Sequence, residues 1–336
     1  MSRLEVDAAA GPLEAPDECR SVAFGVQFAS PFELHGLTPI ENDRADGAPT
    51  RLRVVSQEEL RAASADEGER TVERRLASGR VALTIDRHKD WGYRLWWTRA
   101  GHYLVQPDGL EVLCALPRVG VGRWQRYLVA QVLPLASALR GFEIIHGSAV
   151  SFGDQAVAFV APSGMGKTTL AAHLVLAGAS FLTDDALALE IRADEVWAHS
   201  GAGIVNVDAS DERLLAQESV RRLGRVVGRS DKAHVAVALE RRALPLKAVY
   251  FLERGANVPT PRVETVWPPD PRLLLASAFL SHLDSAERLQ NQLRVCAALS
   301  FTAAMHRLRA PATTGADELA ELVSRHVSLS VGEPAA

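Results

Sequence analysis

The sequence predicts an α/β fold preceded by a strand-rich accessory region, on three observations. An apolar run, Gln155-Ala156-Val157-Ala158-Phe159-Val160, enters a glycine-containing turn and then a helix-forming run from Leu170 to Leu176. Between Ser21 and Leu116, short runs rich in β-branched and aromatic residues recur between polar or glycine-containing breaks. From Arg123 to Leu139 the period changes. Trp124, Leu128, Val132, Leu135 and Leu139 fall three or four residues apart, the stripe of an amphipathic helix closed by Gly141.

These observations divide the chain into a loose tail over 1–18, a strand-rich region over 19–122 and an α/β domain over 123–330. Strands are expected around Val22–Phe24, Val81–Ile85, Tyr93–Trp97 and Tyr103–Val105. The tryptophans and tyrosines between Asp86 and Tyr103 alternate as core-filling residues do, rather than forming a ligand face. Beyond Asp211 the pattern reads as mainly helical, with one strand at Leu246–Leu252 and a proline-rich loop from Pro259 to Pro271.

With 47% hydrophobic and 23% charged residues among 336, the composition is that of a globular protein of about two domains. A net charge of −4 without regional skew offers no basic face, so nucleic acid is not an expected partner. No apolar run is long enough to span a bilayer and the N-terminus has no signal core, so no membrane partner and a cytoplasmic location are expected. Cys19, Cys114 and Cys296 lie too far apart for a zinc site and are expected as free thiols.

The turn carries the chemistry. Ser163-Gly164-Met165-Gly166-Lys167-Thr168-Thr169 sits between a strand and a helix, where glycines let several backbone N–H groups aim at one point and the helix adds its positive end. That arrangement suits a nucleoside triphosphate, with Lys167 on the β- and γ-phosphates and Thr168 on a Mg²⁺ ion. Ala161 stands where a glycine usually leads this motif, which a negative φ would allow.

On either side are candidate partners. Gly153-Asp154 signals a tight hairpin that pairs Phe152 with Gln155 and, counting back, His146 with Ala161 at the mouth of the turn. His146 is then either a group beside the triphosphate or a histidine satisfied at a strand end. Downstream, Gly178 caps the helix and Ala179–Thr183 forms a short strand delivering Asp184 and Asp185. Neighbours on a strand face opposite ways, so the two carboxylates would divide their work between metal and incoming hydroxyl unless the backbone breaks there. Glu253, after Val249-Tyr250-Phe251-Leu252, is the acid a P-loop hydrolase would use. Asn206, Asp208, Arg221, Arg222 and Arg225 are weaker candidates, the arginines fitting a charged helix face better than a phosphate site.

In order, His146-Gly147-Ser148-Ala149-Val150, the Ser163–Thr168 loop and Leu182-Thr183-Asp184-Asp185 resemble the landmarks of the HPr kinase/phosphorylase family, over residues 141–190 or so. The resemblance implies a compact P-loop kinase domain akin to phosphoenolpyruvate carboxykinase, using ATP and Mg²⁺ to phosphorylate a serine on a peptide or small protein. Carried over, Lys167 binds phosphates, Thr168 and Asp185 face the metal, Asp184 is the base and His146 lies near the reacting phosphate. Family members assemble into oligomers, so a homo-oligomer is expected. The N-terminal region does not resemble the family's usual regulatory domain. The order of elements is closer to HPr-kinase-like proteins of lasso-peptide biosynthesis, for which no phosphorylase activity is expected. The competing reading is a nucleotide-dependent binding module, which would transfer phosphate to nothing.

Overall fold

A computed structural model describes residues 18–40, 47–98, 100–117, 121–208, 211, 214, 216–229 and 232–331 as a mixed α/β protein with three sheets. The expected N-terminal tail lies, but for Glu18, outside the described residues.

The first sheet comprises β1 (Cys19–Ala23), β2 (Val26–Ser30), β3 (Thr38–Pro39), β4 (Thr50–Val54), β5 (Glu69–Arg75), β6 (Val81–His88), β7 (Gly92–Trp97), β8 (Gly101–Val105) and β9 (Glu111–Ala115). They lie side by side as β3-β1-β2-β4-β9-β8-β7-β6-β5. Tyr93, Leu95, Tyr103 and Val105 point into its core, so these aromatics and aliphatics do fill the interior as their alternation implied. Trp124, Leu128, Val132 and Leu135 pack into that same core from the amphipathic stripe. The stripe belongs to a helix over Val121–Tyr127 and Leu133–Leu139 joined by a π-helical stretch, Leu128–Val132.

The second sheet holds β10 (Glu143–Phe152), β11 (Gln155–Val160), β12 (Ser180–Thr183), β13 (Ala186–Arg192) and β14 (Glu195–His199), and later β18 (Leu244–Arg254), β19 (Arg262–Thr265) and β20 (Ala304–Ala310). Its order is β11-β10-β13-β14-β18-β20-β19, and it closes on itself because β18 also runs parallel to β11. Helix Lys167–Leu176 and helix Ala316–Val331 share one core with Phe159, Phe181 and Tyr250, while helix Ala286–Thr302 joins a separate core with Val160, Leu182 and Phe251. Burying side chains of this size contributes roughly 1.5–3 kcal/mol each.

A third sheet, β15 (Ile204–Asp208), β16 (Gly224–Arg229) and β17 (Lys232–Val237), runs in the order β15-β17-β16. The chain beyond Asp211 is therefore not mainly helical. Short strands such as β20 alternate Leu308 and Ala310, buried, with Arg307 and Arg309, half-exposed. In seven residues that period of two is easily missed among charges. The Pro259–Pro271 stretch likewise contains β19, an edge strand flanked rather than interrupted by prolines.

The root of β10 is held by a buried ion pair. Glu143, with no exposed surface, contacts Arg288 of helix Ala286–Thr302 at 2.6 and 2.9 Å. Burial pushes the Glu143 carboxyl up to about 7, against the pull of the Arg288 charge. Arg288→Ala strands that carboxylate and is expected to cost about 3–5 kcal/mol in urea denaturation, whereas Glu143→Leu combined with Arg288→Met should cost far less.

Candidate functional site

The hairpin follows the register read from its turn. Phe152 pairs with Gln155 and Gly147 with Val160, so the ladder ends one residue short of His146 and Ala161. His146 pairs instead with Ala186 on its other side. Strands β12 and β13 form one line along β10, from Ala149 opposite Thr183 to His146 opposite Ala186. Asp184 and Asp185 fall in the gap, facing Ser148 and Gly147.

The line breaks there because Asp185 adopts a left-handed backbone, φ 65°. A non-glycine residue in that region is strained by about 1–3 kcal/mol and persists only when its surroundings hold it. Its carbonyl accepts from Gly147 N–H at 3.2 Å and lies 3.0 Å from His146 Nδ1.

Lys167 opens the helix behind the glycine turn and is 5% exposed. Its Nζ donates to Ala161 O at 2.8 Å and Pro162 O at 3.3 Å, and lies 3.0 Å from His146 Nε2. An ammonium donates only, so His146 accepts at Nε2 and carries its proton on Nδ1, where it donates to Asp185 O. Burial lowers the Lys167 pKa, and burial followed by the Lys167 charge lowers that of His146. The imidazole also stacks on Phe279, ring centres 6.0 Å apart.

Asp184 is held from two sides. Its Oδ1 accepts from Ser148 Oγ at 2.6 Å and from Thr168 Oγ1 at 2.9 Å, while its buried Oδ2 has no protein partner. Enclosure, then the neighbouring charge of Asp185, pushes this carboxyl up to about 6. Thr168 thus meets Asp184 rather than Asp185, with which the resemblance grouped it.

Gly164 and Gly166 both have positive φ, 83° and 92°. Gly166 is the helix N-cap and offers no side chain to the first-turn amides, and, its chain neighbours aside, no heavy atom lies within 4 Å of where a Cβ on Gly164 would stand. Ser163 and Gly164 are exposed and Met165 half-buried at the rim of this open face. The arrangement leaves the first-turn amides without a side-chain cap next to a cation and a carboxylate, a setting that can receive a polyphosphate tail.

Two contributors were not singled out from sequence. Ser148 follows His146 by two residues on β10, so the strand period alone places both on one face. Arg254 ends β18, the parallel neighbour of β11. Its Nη1 would lie 3.4 Å from a Cβ on Gly166, its Nη2 donates to Thr314 O, and its buried Nε has no partner. Residues at the carboxyl ends of parallel strands commonly line ligand sites, which was the available signal.

The remaining candidates stand elsewhere. Glu253 is taken up by Arg307 and Arg309, so a hydrolytic role for it is not supported. Asn206 contacts His234 Nδ1 at 2.7 Å. Arg222 donates to Leu176 O at 2.7 Å from an exposed helix face shared with Arg221, and Arg225 lies on β16 rather than on that helix. Asp208 ends β15 beside a cleft that also includes Thr169. Among the described residues Cys19, Cys114 and Cys296 are free, no group of residues forms a metal cluster, and no helix is long and apolar enough to cross a membrane.

Removing the Lys167 ammonium removes a charge that disfavours imidazolium. In Lys167→Met the His146 titration, followed by NMR, should therefore move to higher pH.

No protein-family profile matches this chain, and no curated protein matches it. Among solved structures, that of the Hpr(Ser) kinase/phosphatase from Coxiella burnetii is 12% identical and covers 56% of this chain and 99% of its own, with a TM-score of 0.32. A likeness that slight carries no weight for function.

Proposed function

We propose that the chain is a P-loop phosphotransferase of HPr-kinase type, transferring the γ-phosphoryl group of ATP to a serine hydroxyl on a peptide or small protein. The observation that carries this reading is the meeting of Lys167, His146, Thr168, Ser148 and Asp184 at the open face of a turn with two left-handed glycines. A site for binding alone needs the turn and the lysine. A hydrogen-bonded carboxylate of raised pKa beside them is what transfer to an alcohol adds.

The residues fit a Mg²⁺ ion. The Thr168 hydroxyl lies 2.9 Å from one of two adjacent carboxylates, and the charge of the other, Asp185, acts on both Asp184 and Lys167. Thr168 and Asp185 would hold the ion, leaving Asp184 to the incoming hydroxyl; when bound it offsets phosphate charge and the repulsion between the carboxylates.

Lys167 gives up Ala161 O and Pro162 O to meet the β- and γ-phosphates, while the turn amides and Arg254 hold the chain in place. Asp184 takes the proton of the serine hydroxyl as its oxygen bonds to the γ-phosphorus and the bond to the β-γ bridging oxygen breaks, releasing ADP. Ser148 holds Asp184 in orientation. Catalysis then rests on positioning and charge neutralisation, without a covalent enzyme intermediate.

Lys167→Ala is expected to abolish phosphate transfer to serine peptides, and Asp184→Asn to lower it by about 10²–10⁴-fold, with melting curves close to wild type. Radiolabel transfer from ATP checks both, and near-normal transfer by Asp184→Asn would remove the base assignment. Nucleotide binding without transfer to any acceptor would favour the binding-module reading. The base must be ionised to act, and burial raises its pKa. Activity should therefore fall as pH drops through about 6, instead of near the ordinary value of 3.8, in a kcat/KM profile.

A further inference from the structure

Beside the loop helix lies a cleft of about 840 Å³ that Asp184 does not border. Its walls are Thr169 and His173 of the loop helix, Asp208, Asp211, Arg254 and the 312–318 segment that leads into helix Ala316–Val331. We propose that this cleft receives the ribonucleoside of the triphosphate, with the ribose diol donating to the carboxylates of Asp208 and Asp211. The inference rests on the phosphotransferase reading and gives that site a second half.

Direction comes from the order of residues along the helix. Lys167 and Thr168 face His146 and Asp184, where the γ-phosphate must end for transfer. Thr169 and His173, four residues apart and so on one face, line the cleft instead. None of His146, Ser148, Asp184 and Asp185 borders the cleft. A phosphate chain laid across the turn with its γ end at Asp184 therefore brings its α end, where the nucleoside is attached, to Thr169. Arg254 touches both halves: it packs against Gly166 and also forms part of the cleft wall.

Size and chemistry agree with that direction. The volume falls within the roughly 300–1,000 Å³ of small-molecule sites. Asp211 sits at a fixed point, its Oδ1 accepting from Leu214 N–H at 3.0 Å and its Oδ2 lying 3.9 Å from His173 Nε2. Carboxylates accept hydrogen bonds from hydroxyls and repel further anionic groups, which favours a neutral polyol such as ribose over a second phosphate. Among the described residues no phenylalanine, tyrosine or tryptophan lines the cleft to clamp a base. Selection is therefore expected on the sugar more than on the purine.

Calorimetric titration with Mg²⁺–ATP, Mg²⁺–2′,3′-dideoxy-ATP and Mg²⁺–tripolyphosphate separates the two halves. Wild-type protein should bind ATP on the order of tenfold more tightly than either other ligand. Asp211→Asn should lose that preference and still bind tripolyphosphate as the wild type does. Thr313→Trp, placed at an exposed position of the cleft wall, should do the same by occlusion, and keeps the test sound if Asp211→Asn perturbs folding. Equal wild-type affinity for ATP and the dideoxy nucleotide, or unchanged ATP binding in Thr313→Trp, overturns the nucleoside cleft and leaves the phosphate turn standing. Absence of binding by ATP and tripolyphosphate alike overturns the phosphate turn itself, and the cleft with it.

Discussion

A buried ammonium without a carboxylate hydrogen-bonded to it is the constraint around which this site is built. Lys167 satisfies its donors with two main-chain carbonyls of its own turn and a neutral imidazole. Burying a charge so costs several kcal/mol unless something repays it, and neutral acceptors repay it only in part. The nearby charges of Asp185 and Asp184 favour the ammonium as well, against the cost of its burial. The backbone strain at Asp185 belongs to the same account, because its carbonyl fixes the imidazole that meets the lysine.

That imidazole is also where the N-terminal sheet reaches the site. The segment 277–284 passes between them. Ser277 O accepts from His146 N–H at 2.6 Å, Phe279 stacks on the ring, His282 meets Tyr93 edge-on and Asp284 pairs with Arg87. From the other side, the turn after β1 bonds Phe24 N–H to Ser200 O at 2.6 Å, and Gly201 N–H bonds to Leu182 O two residues before Asp184. The strand-rich region is thus packed against the strands that carry the carboxylates, with core residues in common: Ile144, Ala186 and Ala188 lie in the cluster that contains Tyr93 and Tyr103.

Much of the site was legible because its parts are local. The turn needs glycines at two left-handed positions followed by a lysine and a threonine at a helix start, and these are consecutive in the chain. The hairpin register came from a two-residue turn, since pairing on either side of such a turn leaves no freedom. The elements lost were those whose signal is short or shared. Strands β16, β17 and β20 mix arginines, lysines and histidines with their apolar residues, and six or seven residues cannot separate a period of two from one of 3.6 by composition alone.

By itself, then, the sequence determined the strand, turn and helix around Lys167, the hairpin in front of it and the presence of two adjacent carboxylates behind it. All are set by neighbours within a few residues. Only the tertiary structure decided that Thr168 meets Asp184 and not Asp185, that Arg254 packs on Gly166, and that Glu253 is spent on Arg307 and Arg309. Those contacts join positions separated by sixteen to nearly ninety residues, and depend on which strands lie side by side and where a strained backbone turns a side chain. Hydrogen bonds and ion pairs at such separations leave no period in the chain, because their partners are chosen by packing.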